Sequence, residues 1–234
     1  MAKPLIWATI AKTLQSDIAL GHYPEGAKLP TEALLAERFG VNRHTVRRAI
    51  AALADQGILH TRRGSGVFVV QRPTDYPIGK RVRFHQNIAA TGKLAGKQRL
   101  RIEIRRSDRV EAGALGLGVG DPVLVYEGLS LSGSAILAHF VSIFSVSRFP
   151  DLATAFEATS SVTAALRMCG VDDYLRRETR ITAELADATL ALHLRMHQGD
   201  PVLRTVGINT DVDGTPIEYG ITYFAANKVA LTVA

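Results

Sequence analysis

Two stretches of this chain, each twenty-eight residues long, lie over one another without a gap. "RIEIRRSDRVEAGALGLGVGDPVLVYEG" begins at Arg101 and "RITAELADATLALHLRMHQGDPVLRTVG" at Arg180, an offset of 79 residues. They share Arg-Ile, an alanine and a leucine at helical positions, Gly-Asp-Pro-Val-Leu and a closing glycine. Each copy reads as a strand, a short amphipathic helix, a Gly-Asp-Pro turn and a strand running into a hairpin, the second closing at Asp213-Gly214. A segment that folds twice must bury its apolar face against its twin. The repeat therefore predicts one mostly antiparallel sheet carrying helices, an α+β domain with an internal duplication about a pseudo-two-fold axis. The seam between the copies is where a small ligand would find a concavity.

The residues ahead of the repeat carry a different pattern. Ile6, Ile10, Leu14 and Ile18 stripe a helix over residues 4–20 that stops at Gly21. Past the turn-rich "GHYPEGAKLP", Thr31 is placed to cap a short helix through Phe39, with Leu34, Leu35 and Phe39 facing inward. Gly40 supplies a tight turn, and Asn42 caps the next helix near Thr45. Two short helices joined this way form a helix-turn-helix. In the second helix Val46, Ala49, Ile50 and Leu53 dock on the core, which leaves Arg43, His44, Thr45 and Arg47 on the outer N-terminal part. In this motif that part reaches base edges in the major groove, where an arginine fork can bind guanine O6 and N7. "ILHTRRGSGVFVV" follows as a hairpin tipped by Arg62 and Arg63 with Gly64 at its turn, suited to a phosphate backbone or a minor groove. Helix, helix-turn-helix and basic hairpin, in this order, make a winged helix-turn-helix.

Charge follows the same division. Residues 1–72 hold ten Lys/Arg against five Asp/Glu and residues 80–109 ten against two, whereas residues 110–234 hold eight against fourteen. A basic front and an acidic back point to an anionic partner for the front alone, with nucleic acid the leading candidate; for the helix-turn-helix that partner would be double-stranded DNA. With 234 residues, 47% of them hydrophobic, the chain can fill a small and a medium core. The expected division is a winged helix over 1–72, a linker at 73–77 within the proline-punctuated "QRPTDYP", and the duplicated domain over 78–234. Cys169 stands alone, which excludes disulfides within the chain and thiolate zinc clusters. The N-terminus is broken by Lys12 and no run of about 18 apolar residues follows, so a soluble, cytoplasmic chain with no membrane partner is expected.

"AKLPTEALLAERFGVNRHTVRRAIAALADQGILHTRRGSGVFV" resembles the DNA-binding domain of GntR-type bacterial transcription regulators along nearly its whole length. The resemblance implies DNA contacts at Arg43, His44, Thr45 and Arg47, with Thr31 and Asn42 beside them and Arg63 and Gly64 at the wing. Many relatives carry an arginine at the position of Ala33, so the preferred operator is expected to differ. "GDPVL" with "GTPIEYGITYF" resembles the UTRA effector domain of the HutC subfamily, which has a chorismate-lyase-like fold. "NRHTVRRA", "YPIGKRVRFHQN" and "DDYLRRETRITAELA" are similar to the phosphonate-utilisation regulators of that subfamily. That resemblance implies an effector pocket drawn from Arg83, Phe84, Asn87, Ser130, Arg180, Glu218, Tyr219 and Tyr223. Arginine forks suit phosphate or phosphonate oxygens. Sugar-phosphate-sensing relatives usually have arginines where this chain has Gly128 and Ser130.

The resemblance thus implies a ligand-responsive repressor, a homodimer that straddles a pseudo-palindromic operator and senses a small anionic metabolite of phosphonate type. Its rivals are a sugar-phosphate or histidine-pathway sensor of the same architecture, and a chorismate-lyase-like enzyme. No nucleophile, base and orienter stand at recognisable spacing, so neither catalysis nor a cofactor is expected. Other roles stay open for single residues. Arg180 could bridge Glu178 or Glu184, Glu218 and Tyr219 could close the last hairpin, and Arg101 reads as solvent-facing. His193 and His197 are four apart but lack the glutamate of a metalloprotease helix, and read as surface histidines rather than metal ligands.

Overall fold

Contacts divide the chain into two units, residues 1–72 and 73–234. The structure is a computed structural model and describes residues 5–62, 64–70, 73–81 and 95–233.

The first unit is built from α1 (Ile6–Ala19), α2 (Glu32–Phe39), α3 (Arg43–Asp55) and the hairpin of β1 (Leu59–Arg62) and β2 (Gly66–Val69). Its helices begin and end where the sequence carries caps. The Thr31 hydroxyl accepts the Leu34 N–H at 3.3 Å, and Gly40 leaves α2 in the left-handed region at φ 62°. Ile10, Leu14, Leu35, Val46, Ala49, Ile50 and Leu53 fill the core with Leu59 and Val69 from the hairpin. Ile6 and Leu34 depart from the expected stripes and are 64% and 56% exposed. Two turns of α2 can turn only a narrow face inward, and Leu35 and Ala36 occupy it. Arg38 ties α2 to α1 through Asp17 at 2.8 Å.

In the second unit the duplication is plain in the order of strands. β4 (Ala95–Arg106), β5 (Pro122–Ser132), β6 (Ala135–Ser145), β7 (Leu175–Leu185), β8 (Pro201–Thr210) and β9 (Pro216–Ala225) form one antiparallel sheet in the order β4-β5-β6-β9-β8-β7. The pseudo-two-fold axis passes between β6 and β9. α4 (Arg109–Leu115) and α7 (Ala188–Leu194) pack on one face, α5 (Leu152–Ala158) and α6 (Val162–Met168) on the other. Copies match atom for atom at their turns. Asp108 and Asp187 cap α4 and α7 by accepting the N–H of Glu111 and Leu190 at 2.8 and 2.7 Å. Asp121 and Asp200 accept the N–H of Gly118 and His197. Gly116 ends α4 at φ 68°, and its equivalent Arg195 ends α7 at φ 50°, the one non-glycine with positive φ among the described residues.

The expected linker is not one. Thr74–Pro77 is a strand, β3, which pairs in parallel with β10 (Val229–Thr232). Thr74 and Tyr76 are buried in alternation, and Tyr76 packs on Phe224 at 5.1 Å between ring centroids. Pro73 precedes the strand and Pro77 is its last residue, opposite Thr232, so neither interrupts it, although their spacing suggested a linker.

Candidate DNA interface and effector cavity

The outer end of α3 is set by Asn42, whose Oδ1 accepts both the N–H and the hydroxyl of Thr45 at 2.9 Å. Thr31 and Asn42, both expected at DNA, thus spend side-chain oxygens on helix caps. Arg43 and His44 are exposed at the start of α3. Arg47, expected beside them, is held back by Glu32, with Nε 3.0 Å from Oε1 and Nη2 2.6 Å from Oε2. Those hydrogen bonds hold the Glu32 carboxyl below the usual range. In the hairpin, Arg62 lies over the Phe68 ring and donates to His60 at 3.1 Å. Gly64 turns the tip at φ 77°, and Arg63 lies outside the described residues.

A cavity of about 290 Å³ opens on the α6 face of the sheet. Its walls include Lys97 from β4, Ser130 from β5, Ser142 from β6, Arg176 and Thr179 from β7, Asn209 from β8 and Glu218 from β9. Lys97 and Arg176 stand 79 residues apart, as do Ser130 and Asn209, so the duplication delivers one cation and one neutral hydrogen-bonding group from each copy. Arg167 adds a third cation from α6. Burial pushes the Lys97 ammonium down to about 8, against a weaker pull from Glu218. Its Nζ lies 4.1 Å from the centre of the Phe140 ring. Glu218 accepts from Ser142 Oγ and Asn209 Nδ2, both at 2.6 Å. The Nε of Arg176 and the hydroxyl of Thr179 are buried with no hydrogen-bond partner among the described residues. Orphaned donors in a polar cavity are what a bound anion would satisfy.

Of the expected effector residues, the fold brings Ser130 and Glu218 into this cavity. Arg180 is not there: its side chain is 75% exposed and lies 3.9 Å from Glu178. Tyr219 and Tyr223 are also excluded, because alternation along β9 turns them to the α4 and α7 face, Tyr219 beside Leu115 and Tyr223 beside Leu190. Arg83, Phe84 and Asn87 lie outside the described residues. Gly128 has a steric reason: a Cβ there would fall 2.5 Å from the Gln98 carbonyl and 2.9 Å from the Phe140 ring. Arg101, read as solvent-facing, is exposed, and it also bonds Glu127 at 2.9 Å. Sequence reasoning missed Lys97 and Arg176, although the repeat offset joins them.

Residues 7–69 match the bacterial regulatory proteins of the gntR family, and residues 90–230 match the UTRA domain. An HTH-type transcriptional regulator of Rhizobium meliloti (strain 1021) is 35% identical over 230 residues, which span 97% of this chain and 94% of the relative. The probable transcriptional regulator PhnF of Escherichia coli (strain K12) is 32% identical over 233 residues, 98% of this chain and 95% of its own. The crystal structure of PhnF from Mycobacterium smegmatis superposes with a TM-score of 0.67 at 26% identity, covering 98% of both chains.

Proposed function

Because the chain belongs to the GntR family of bacterial regulatory proteins and carries a UTRA domain, we propose that it is a transcriptional repressor released from operator DNA by a small organic anion of phosphonate or phosphate type. One observation carries the choice of ligand: Lys97 and Arg176, one from each copy, face a single cavity in which an arginine nitrogen lacks a partner among the described residues. The anionic head sits between these two cations, and Glu218 with Asn209 and Ser130 receives a polar remainder. The similarity to PhnF proteins makes phosphonates the first class to test.

On the DNA side Arg43 and His44 are free to reach bases, while Arg47 must leave Glu32 or position the helix through it. A homodimer fits a two-fold operator, and β4 and β7, the outermost strands of the sheet, carry exposed Ile104, Ile181 and Leu185 suited to a partner copy. No helix among the described residues is long and apolar enough to cross a membrane.

The test is thermal unfolding against methylphosphonate, inorganic phosphate, a sugar phosphate and urocanate. A ligand at a hundred times its dissociation constant stabilises the native state by about 2.7 kcal/mol. Stabilisation by methylphosphonate or phosphate supports the reading. A response to urocanate alone, a carboxylate, overturns the phosphonate or phosphate type, and a response to the sugar phosphate alone overturns the phosphonate class.

A further inference from the structure

On the face of the sheet that carries α7 there is a second cavity, of about 190 Å³, for which effector sensing has no use. Glu127, His139, His193, Glu184, Asp187 and Tyr223 line it. His139 is only 8% exposed. Its Nε2 lies 2.8 Å from Glu127 Oε1, and its Nδ1 is buried with no hydrogen-bond partner among the described residues. The His193 ring stacks on it, 5.1 Å between centroids and 6° between planes. One ligand atom from each of Glu127, His139 and His193 lies within 4.8 Å of the other two.

The duplication supplies an internal control. The 79-residue offset carries Glu127 to Val206 and His193 to Ala114. His139 pairs with Leu129, and Tyr219 pairs with Ile208, the residue 79 beyond Leu129, so Tyr219 is the twin of His139. Ala114, Val206 and Tyr219 meet in an apolar cluster with Leu115 and Ile143. The same corner of the fold is therefore closed without a carboxylate or an imidazole. Burying these groups costs free energy unless they are paired or bind a metal, and one imidazole nitrogen here is unpaired among the described residues.

We propose that Glu127, His139 and His193 bind a divalent transition-metal ion of zinc type. Two imidazoles and one carboxylate form a zinc ligand set with a fourth position open to water, Asp187 or Glu184. Ligand atoms around a tetrahedral ion stand roughly 3.3 Å apart, so the trio must close. His193, half-buried on α7, is the side chain with room to move. Two arginines compete with the ion for the carboxylates: Arg101 bonds Glu127, and Arg204 Nε lies 3.7 Å from Glu184. His197, four residues on and past the end of α7, is no part of the set.

The experiment is titration of the untagged, full-length protein with cobalt(II), read by its visible absorption, and with zinc(II) in competition against a chromogenic chelator. One equivalent should bind, with intense tetrahedral cobalt bands displaced by zinc. His193→Ala and Glu127→Gln should each weaken binding at least tenfold, and His197→Ala should not. His193 lies at the rim, so its variant keeps the fold, which unfolding in the absence of metal verifies. No saturable binding, or binding that survives both His193→Ala and Glu127→Gln, overturns the site. Neither result bears on the anion pocket, whose residues lie in the other cavity.

Discussion

Lys97 carries a prediction of its own. Its ammonium is lowered by burial from 10.5 to about 8. Between those values the unfolded chain binds more protons than the native one, so stability rises with pH there: the cost of the buried ammonium is present in full below 8 and vanishes towards 10.5. An anion needs that charge. Its affinity should fall roughly tenfold between pH 7 and pH 9, measured by calorimetry with methylphosphonate, and Lys97→Arg should flatten the profile because guanidinium does not titrate there. A flat profile in the wild type would remove Lys97 from the site. The residue was hard to see in the sequence because it sits among ten cations between residues 80 and 109, and charge alone does not say which one points inward. Arg180 misled for the complementary reason. It matched a motif, but it stands on an edge strand with six exposed residues in a row, Glu178's neighbour rather than a ligand's.

Elements were more legible than side chains, because capping and periodicity are local. Thr31 and Asn42 mark helix starts in sequence and in structure. β3 was not legible, since its pairing with β10 joins residues more than 150 apart and nothing near Thr74 records it. The twin glycines of β5 and β8 yield a sharper test of these strands. At Gly128 a Cβ would meet the backbone carbonyl of Gln98 at 2.5 Å, so Gly128→Ala should destabilise the protein by about 1–3 kcal/mol in urea unfolding. At Gly207 the Cβ would fall on Nη1 of Arg176, the movable end of a long side chain, with the Glu178 carbonyl at 3.1 Å. Gly207→Ala should therefore destabilise the protein less than Gly128→Ala does and weaken anion binding severalfold. Equal destabilisation of both variants would mean that Arg176 is locked and not available to a ligand.

At the scale of the whole molecule, the repeat announced the sheet and its symmetry, and the winged helix was announced by the order of its parts. What the sequence could not state is which face of the duplicated sheet would hold a ligand, because pleat and helix packing decide that. A repressor needs more than two competent units. Its ligand must bind the DNA-free arrangement more tightly than the DNA-bound one, since equal affinity shifts nothing. The central claim is that coupling, and fluorescence anisotropy of a labelled operator, selected from the DNA upstream of the regulated genes, measures it directly. With saturating methylphosphonate or phosphate, whichever stabilises the protein, operator affinity should fall by 5–150-fold, the range of ordinary allosteric coupling, and Lys97→Met should abolish the response while binding operator as well as the wild type. Unchanged operator affinity at a ligand concentration that saturates the cavity would contradict the account.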